Sequence, residues 1–160
     1  MLVKGIVEED FVNYKVPSMF ITSCFCDFKC CVESDLDIGV CQNAPLVQTE
    51  NREISDATIY QHYVGNPITQ AVVIGGMEPF LQFGEVYSLI KLFREYGNRS
   101  DFVIYTGYYP DEIAEQLNKL EELGNIVVKF GRFIPDRPHR YDDVLGIELS
   151  SDNQYAVRIA

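Results

Sequence analysis

Apolar residues gather in four short runs, Met19 to Cys24, Ala71 to Ile74, Phe102 to Tyr105 and Ile126 to Phe130. Each is four to six residues long and rich in Val, Ile and Phe, the length and content of a buried strand. The intervening segments change period. Val86, Leu89, Ile90 and Phe93 recur at i, i+3, i+4 and i+7, which places them on one face of a helix that Gly97 stops. Ser55 caps a helix running to about Val64, with Gly65-Asn66-Pro67 beyond it. Pro110-Asp111-Glu112 opens another, whose Ile113, Leu117 and Leu120 share a side before Gly124 ends it. Residues 25–54 show no sustained period and contain Gly39 and Pro45, which predicts a long functional loop. The first residues read as a short amino-terminal segment and 131–141 as loop. Leu145 to Leu149 and Tyr155 to Ile159 read as short strands.

Strand and helix in alternation predict an α/β fold with right-handed crossovers and a largely parallel sheet. A closed eight-stranded barrel needs about 250 residues. A chain of 160 residues therefore predicts a truncated, open partial (β/α) barrel, in a single domain spanning 1–160. In such sheets the chemistry gathers at the carboxyl ends of the strands. Two unusual stretches leave strands at that end and are expected to face each other: a cysteine-rich loop and Gly75-Gly76-Met77-Glu78-Pro79.

Composition then narrows the function. With 47% hydrophobic and 23% charged residues the chain can bury a core. A net charge of -11 without any basic run opposes nucleic-acid binding. No apolar stretch reaches the roughly 20 residues of a membrane span, and Met1 to Asp10 lacks the regions of a signal peptide. Of five cysteines, four fall between Cys24 and Cys31. That odd, clustered set suits metal ligation in a reducing compartment better than disulfides, so a cytoplasmic location is expected. Cys26, Cys30 and Cys41 follow the first apolar strand and supply three thiolates, enough for an iron-sulfur cluster that leaves one iron free. The same cysteines, with Cys24, Cys31 and His62, are also numerous enough for tetrahedral zinc, although the paired CxxC spacing of zinc ribbons is missing.

Cys26-Asp27-Phe28-Lys29-Cys30 with Cys41-Gln42-Asn43 resembles the CxxxCxxC signature of the radical S-adenosylmethionine enzymes, in a variant CxxxC-x10-C spacing. Gly75-Gly76-Met77-Glu78-Pro79 resembles the GGEP motif of that superfamily with Met77 inserted. Asp10-Phe11-Val12-Asn13, the Cys-x-Asn ending and Ser150-Ser151-Asp152-Asn153-Gln154 are similar to stretches of the activating proteins of anaerobic ribonucleoside-triphosphate reductase. The resemblance implies a [4Fe-4S] cluster on Cys26, Cys30 and Cys41, with the Cys-x-Asn ending favouring Cys41 over Cys31 as third ligand. It implies S-adenosyl-L-methionine bound at Gly75, Gly76 and Glu78, with Thr106 and Gly107 touching the nucleoside and Phe25 or Phe28 sheltering the cluster. The implied activity is reductive cleavage of S-adenosylmethionine to a 5'-deoxyadenosyl radical. The implied partners are a glycyl radical enzyme, such as the anaerobic ribonucleotide reductase, and a flavodoxin or ferredoxin-type electron donor. A radical enzyme acting on a small molecule, a non-catalytic iron-sulfur domain and a zinc-binding domain are the alternatives.

Overall fold

The computed structural model describes all 160 residues. In chain order its elements are β1 (Leu2–Val3), β2 (Gly5–Asp10), β3 (Ser18–Thr22), α1 (Lys29–Glu33), β4 (Arg52–Glu53), α2 (Asp56–Gly65), β5 (Ala71–Gly75), α3 (Phe83–Glu95), β6 (Asp101–Tyr105), α4 (Ala114–Glu121), β7 (Ile126–Phe130), β8 (Arg140–Asp142), β9 (Ile147–Leu149) and β10 (Tyr155–Arg158). The fold is mixed α/β around a six-stranded sheet of order β10-β7-β6-β5-β3-β2. Its four central strands, β3, β5, β6 and β7, are parallel and lie in sequence order. Two antiparallel strands flank them, β2 beside β3 and β10 beside β7. No helix is long and apolar enough to cross a membrane.

The central strands are buried on both faces, which is why they read as unbroken apolar runs instead of alternating. Val72, Ile74, Phe102, Ile104, Ile126 and Val128 point to one face and pack with Ile59 of α2, Leu89, Ile90 and Phe93 of α3, and Leu117 and Leu120 of α4. The predicted α3 stripe is thus the buried one. Ala71, Val73, Val103 and Val127 point to the other face. There Leu145 and Leu149, from the β8–β9 hairpin, and Tyr14 cover them, while all three crossover helices stay on the first face.

Local signals act where the sequence places them. The Ser55 hydroxyl accepts from Thr58 N–H at 3.1 Å and starts α2. Gly97, at φ 76°, ends α3 in the left-handed conformation that glycine adopts without strain. Elsewhere the structure corrects the reading. Pro110–Glu112 is a separate 3-10 turn, and Ile113 at φ -134° breaks the path before α4 begins at Ala114. The amino-terminal segment holds β2, a full edge strand, and Arg140–Asp142 pairs as β8 where loop was expected. The long loop carries α1 and two short 3-10 turns, Ile38–Val40 and Ala44–Gln48.

Candidate active site

The carboxyl ends of the four parallel strands surround a cavity of about 470 Å³. The segment after each strand contributes to it: Cys26, Cys30 and Cys41 after β3, Gly76, Met77 and Glu78 after β5, Thr106 to Tyr108 after β6, and Gly131 and Arg132 after β7. Both motifs singled out in the sequence therefore reach one cavity, although Gly75 itself closes β5 and does not line it. Cys24 and Cys31 are buried and do not line it. All five cysteines are free.

Main-chain bonds stitch the two motifs together. Ser23 donates to the Gly75 carbonyl from both its N–H (2.9 Å) and its hydroxyl (3.0 Å), and Glu78 N–H donates to the Phe25 carbonyl at 2.7 Å. Cys24 N–H donates to Gln82 Oε1 at 2.6 Å. Glycine is required at this junction. Gly76 sits at φ 80°, and a Cβ there would stand 2.6 Å from Thr22 Cγ2. Phe28, which begins α1 at φ 53°, is a bulky residue held in left-handed backbone, a strained conformation of the kind found at functional sites.

Burial raises the thiols, Cys26 to about 11 and Cys30 to about 12, and the Phe28 N–H donating to Cys26 Sγ at 3.3 Å opposes the rise at Cys26. Cys30 and Cys31 Sγ are 4.0 Å apart. Cys26, Cys30 and Cys41 lie near enough to act on one another electrostatically. Three such thiols facing a common cavity fit a metal-sulfur group, whose binding displaces the thiol protons. No three His, Cys, Asp or Glu side chains are gathered tightly enough to hold a single metal ion.

Glu78 is buried and fully oriented. Its Oε1 accepts from Phe80 N–H (3.1 Å) and the Thr106 hydroxyl (2.8 Å), and its Oε2 from Gly107 N–H (2.9 Å). Burial lifts its carboxyl to about 6 in spite of these bonds. Thr106 lines the cavity, yet its hydroxyl is committed to Glu78 and to accepting from Tyr108 N–H, so its observed work is to hold the carboxylate. Phe25 is exposed, and neither Phe25 nor Phe28 lines the cavity.

The rim contains residues that periodicity and motif reading missed. Arg132 donates to the Gly107 carbonyl (2.7 Å), to both Glu33 oxygens (3.0 and 2.9 Å) and to Glu112, tying α1 to the segments after β6 and β7. The Arg132 bond holds Glu112 far below the carboxylate range, and Lys29 adds a 2.9 Å contact. Tyr108 donates to Asp27 at 2.6 Å, beside Cys26 in sequence. Lys129 of β7 lines the cavity from the sheet.

The two terminal stretches also meet here. Asp10 accepts from the main chain (3.1 Å) and side chain (3.0 Å) of Asn13, whose carbonyl takes the Tyr105 hydroxyl at 2.6 Å. Asn153 donates to the Arg132 carbonyl at 2.7 Å and Gln154 to the Gly131 carbonyl at 3.3 Å. Both stretches thus brace the cavity rim, although they lie at opposite ends of the chain. A family model described as a 4Fe-4S single cluster domain matches residues 16–155. No curated protein and no solved structure matches the chain.

Proposed function

Since the chain belongs to the 4Fe-4S single cluster domain family, we propose that Cys26, Cys30 and Cys41 hold its [4Fe-4S] cluster and that the protein is a radical S-adenosylmethionine enzyme of the activase type. The observation that carries this reading is the shared cavity: three thiols and Gly76, Met77 and Glu78 of the diglycine bend line it together, while Cys24 and Cys31 do not. When bound and reduced, the cluster supplies the electron that splits S-adenosylmethionine into methionine and a 5'-deoxyadenosyl radical.

The chain's own residues bind and orient. Gly76 lets backbone approach the methionine end closely, Gly75 anchors the bend through Ser23, and the Glu78 carboxylate accepts from the ligand's ammonium. Thr106 and the Gly107 N–H keep that carboxylate aimed. The sequential parallel strands, with every crossover helix on one face, support an open partial (β/α) barrel. Exposed Val12, Gln42, Phe133 and Glu148 line the cavity and leave it accessible. That access suits a macromolecular substrate, a glycyl radical enzyme such as the anaerobic ribonucleotide reductase, with a flavodoxin or ferredoxin-type donor in a reducing cytoplasm.

The test has two stages. Anaerobically reconstituted protein, reduced with S-adenosylmethionine present, is expected to release 5'-deoxyadenosine, and the co-occurring reductase is then expected to show a glycyl radical by electron spin resonance. An intact cluster without 5'-deoxyadenosine makes the protein a non-catalytic iron-sulfur domain. Release of 5'-deoxyadenosine without a glycyl radical on that reductase overturns the activase assignment and favours a small-molecule substrate.

A further inference from the structure

Three cations line the cavity, and two of them are spoken for. Lys29 pairs with Glu112, and Arg132 with Glu33 and Glu112. Lys129 is different. It lies beside Tyr105 across the β6–β7 pair, is 8% exposed, and has no carboxylate partner. Its Nζ makes one long bond, to the Gly131 carbonyl at 3.3 Å, and lies 5.9 Å from the Tyr105 ring centroid. A lone ammonium withdrawn from water is costly unless negative charge arrives to offset it. Burial lowers its pKa to about 8, which leaves it protonated at neutral pH. Of the two titratable groups that act on it, Glu78 already has three donors of its own, and Cys30 is a thiol that lines the same cavity. Its charge is therefore left without a carboxylate partner in a cavity that Cys26, Cys30 and Cys41 also line.

We propose that Lys129 sets the reduction potential of the cluster held by Cys26, Cys30 and Cys41, acting through space as a fixed positive charge that favours the reduced form. The inference rests on the ligand assignment made above. Cluster reduction takes one electron from a low-potential donor and adds one negative charge without forming or breaking a bond, so a nearby cation stabilises the product more than the reactant. Net charge near a cluster is among the factors that set its potential. A unit charge acting across roughly 10 Å at an effective dielectric near 20 alters a one-electron equilibrium by about tenfold, equivalent to about 59 mV.

The experiment compares wild type, Lys129→Gln and Lys129→Arg, each reconstituted anaerobically without S-adenosylmethionine, with iron content measured before a spin-resonance redox titration. Lys129→Gln is expected to shift the midpoint to more negative values, with about tenfold less reduced cluster at a fixed poise, and Lys129→Arg to restore it. Lys129→Met replaces the Gln variant should that one fail to fold. An iron-replete Lys129→Gln or Lys129→Met protein with the wild-type midpoint overturns the inference, even where its binding of S-adenosylmethionine is weakened. Wild type that takes up no cluster overturns the ligand assignment beneath it as well.

Discussion

Replacing Glu78 by Gln turns the burial of that carboxyl into a measurable pH dependence. The group is 5% exposed, and burial raises it from its ordinary 4.5 to about 6. At 1.36 kcal/mol per pH unit the displacement corresponds to about 2 kcal/mol. Because the folded carboxyl holds its proton more tightly than the unfolded one, its contribution to stability is complete below pH 4.5 and is lost as the pH rises through 6. Wild type is therefore expected to gain about 1 kcal/mol from this group between pH 7.5 and pH 5. Glu78→Gln has no proton to bind there and gains nothing. Its amide NH₂ opposes at least one of the donors that now converge on the carboxylate, a cost of about 1–3 kcal/mol that is the same at both pH values. Urea unfolding of both cluster-free proteins at pH 7.5 and pH 5 isolates the effect, since the other groups titrate alike and cancel in the difference. The stability gap between wild type and variant should widen by about 1 kcal/mol in favour of wild type on acidification. A gap that stays constant, or narrows, refutes the assignment of burial as the dominant influence on Glu78.

Three further outcomes are expected. Single Cys→Ala replacements in anaerobically reconstituted protein should abolish most iron uptake at Cys26, Cys30 and Cys41 and spare it at Cys24 and Cys31; loss at Cys31 with retention at Cys41 reverses the third ligand. Gly76→Ala should destabilise by about 2–5 kcal/mol, the sum of left-handed strain and overpacking, and adding Thr22→Ser, which removes the methyl group in its way, should recover part of that loss in urea or thermal unfolding. Arg132→Met should cost about 2–4 kcal/mol and speed amide exchange across Lys29–Glu33, whereas unchanged exchange there shows that α1 is held by other contacts.

The scaffold was legible because its signals are local. The four buried strands appear as apolar runs within a residue or two of their observed limits, and the α3 stripe from Val86 to Phe93 is the face that packs. The convergence of the cysteine loop and the diglycine bend followed from the rule that loops at the carboxyl ends of parallel strands share a site. What escaped depends on distant partners. Gly5–Asp10 contains three consecutive acids and no alternation, and it is a strand because β3 offers it an edge. Arg132 looked like loop charge, since Glu33 and Glu112 lie 99 and 20 residues away. Lys129 did leave a trace: a cation inside the apolar run Ile126–Phe130 signals a strand that faces something other than core. Thr106 lines the cavity, but its bond to Glu78 spans 28 residues and no spacing rule announces it.

The antiparallel strands at the two margins of the sheet limit how it can grow. With β10 hydrogen-bonded along β7 and β2 along β3, the outermost parallel strands have no free ladder for another right-handed strand-helix unit to join. Repetition of the same building block is thereby blocked on both sides. Any partner that closes the hollow would therefore approach across its mouth and not as further staves beside β3 or β7.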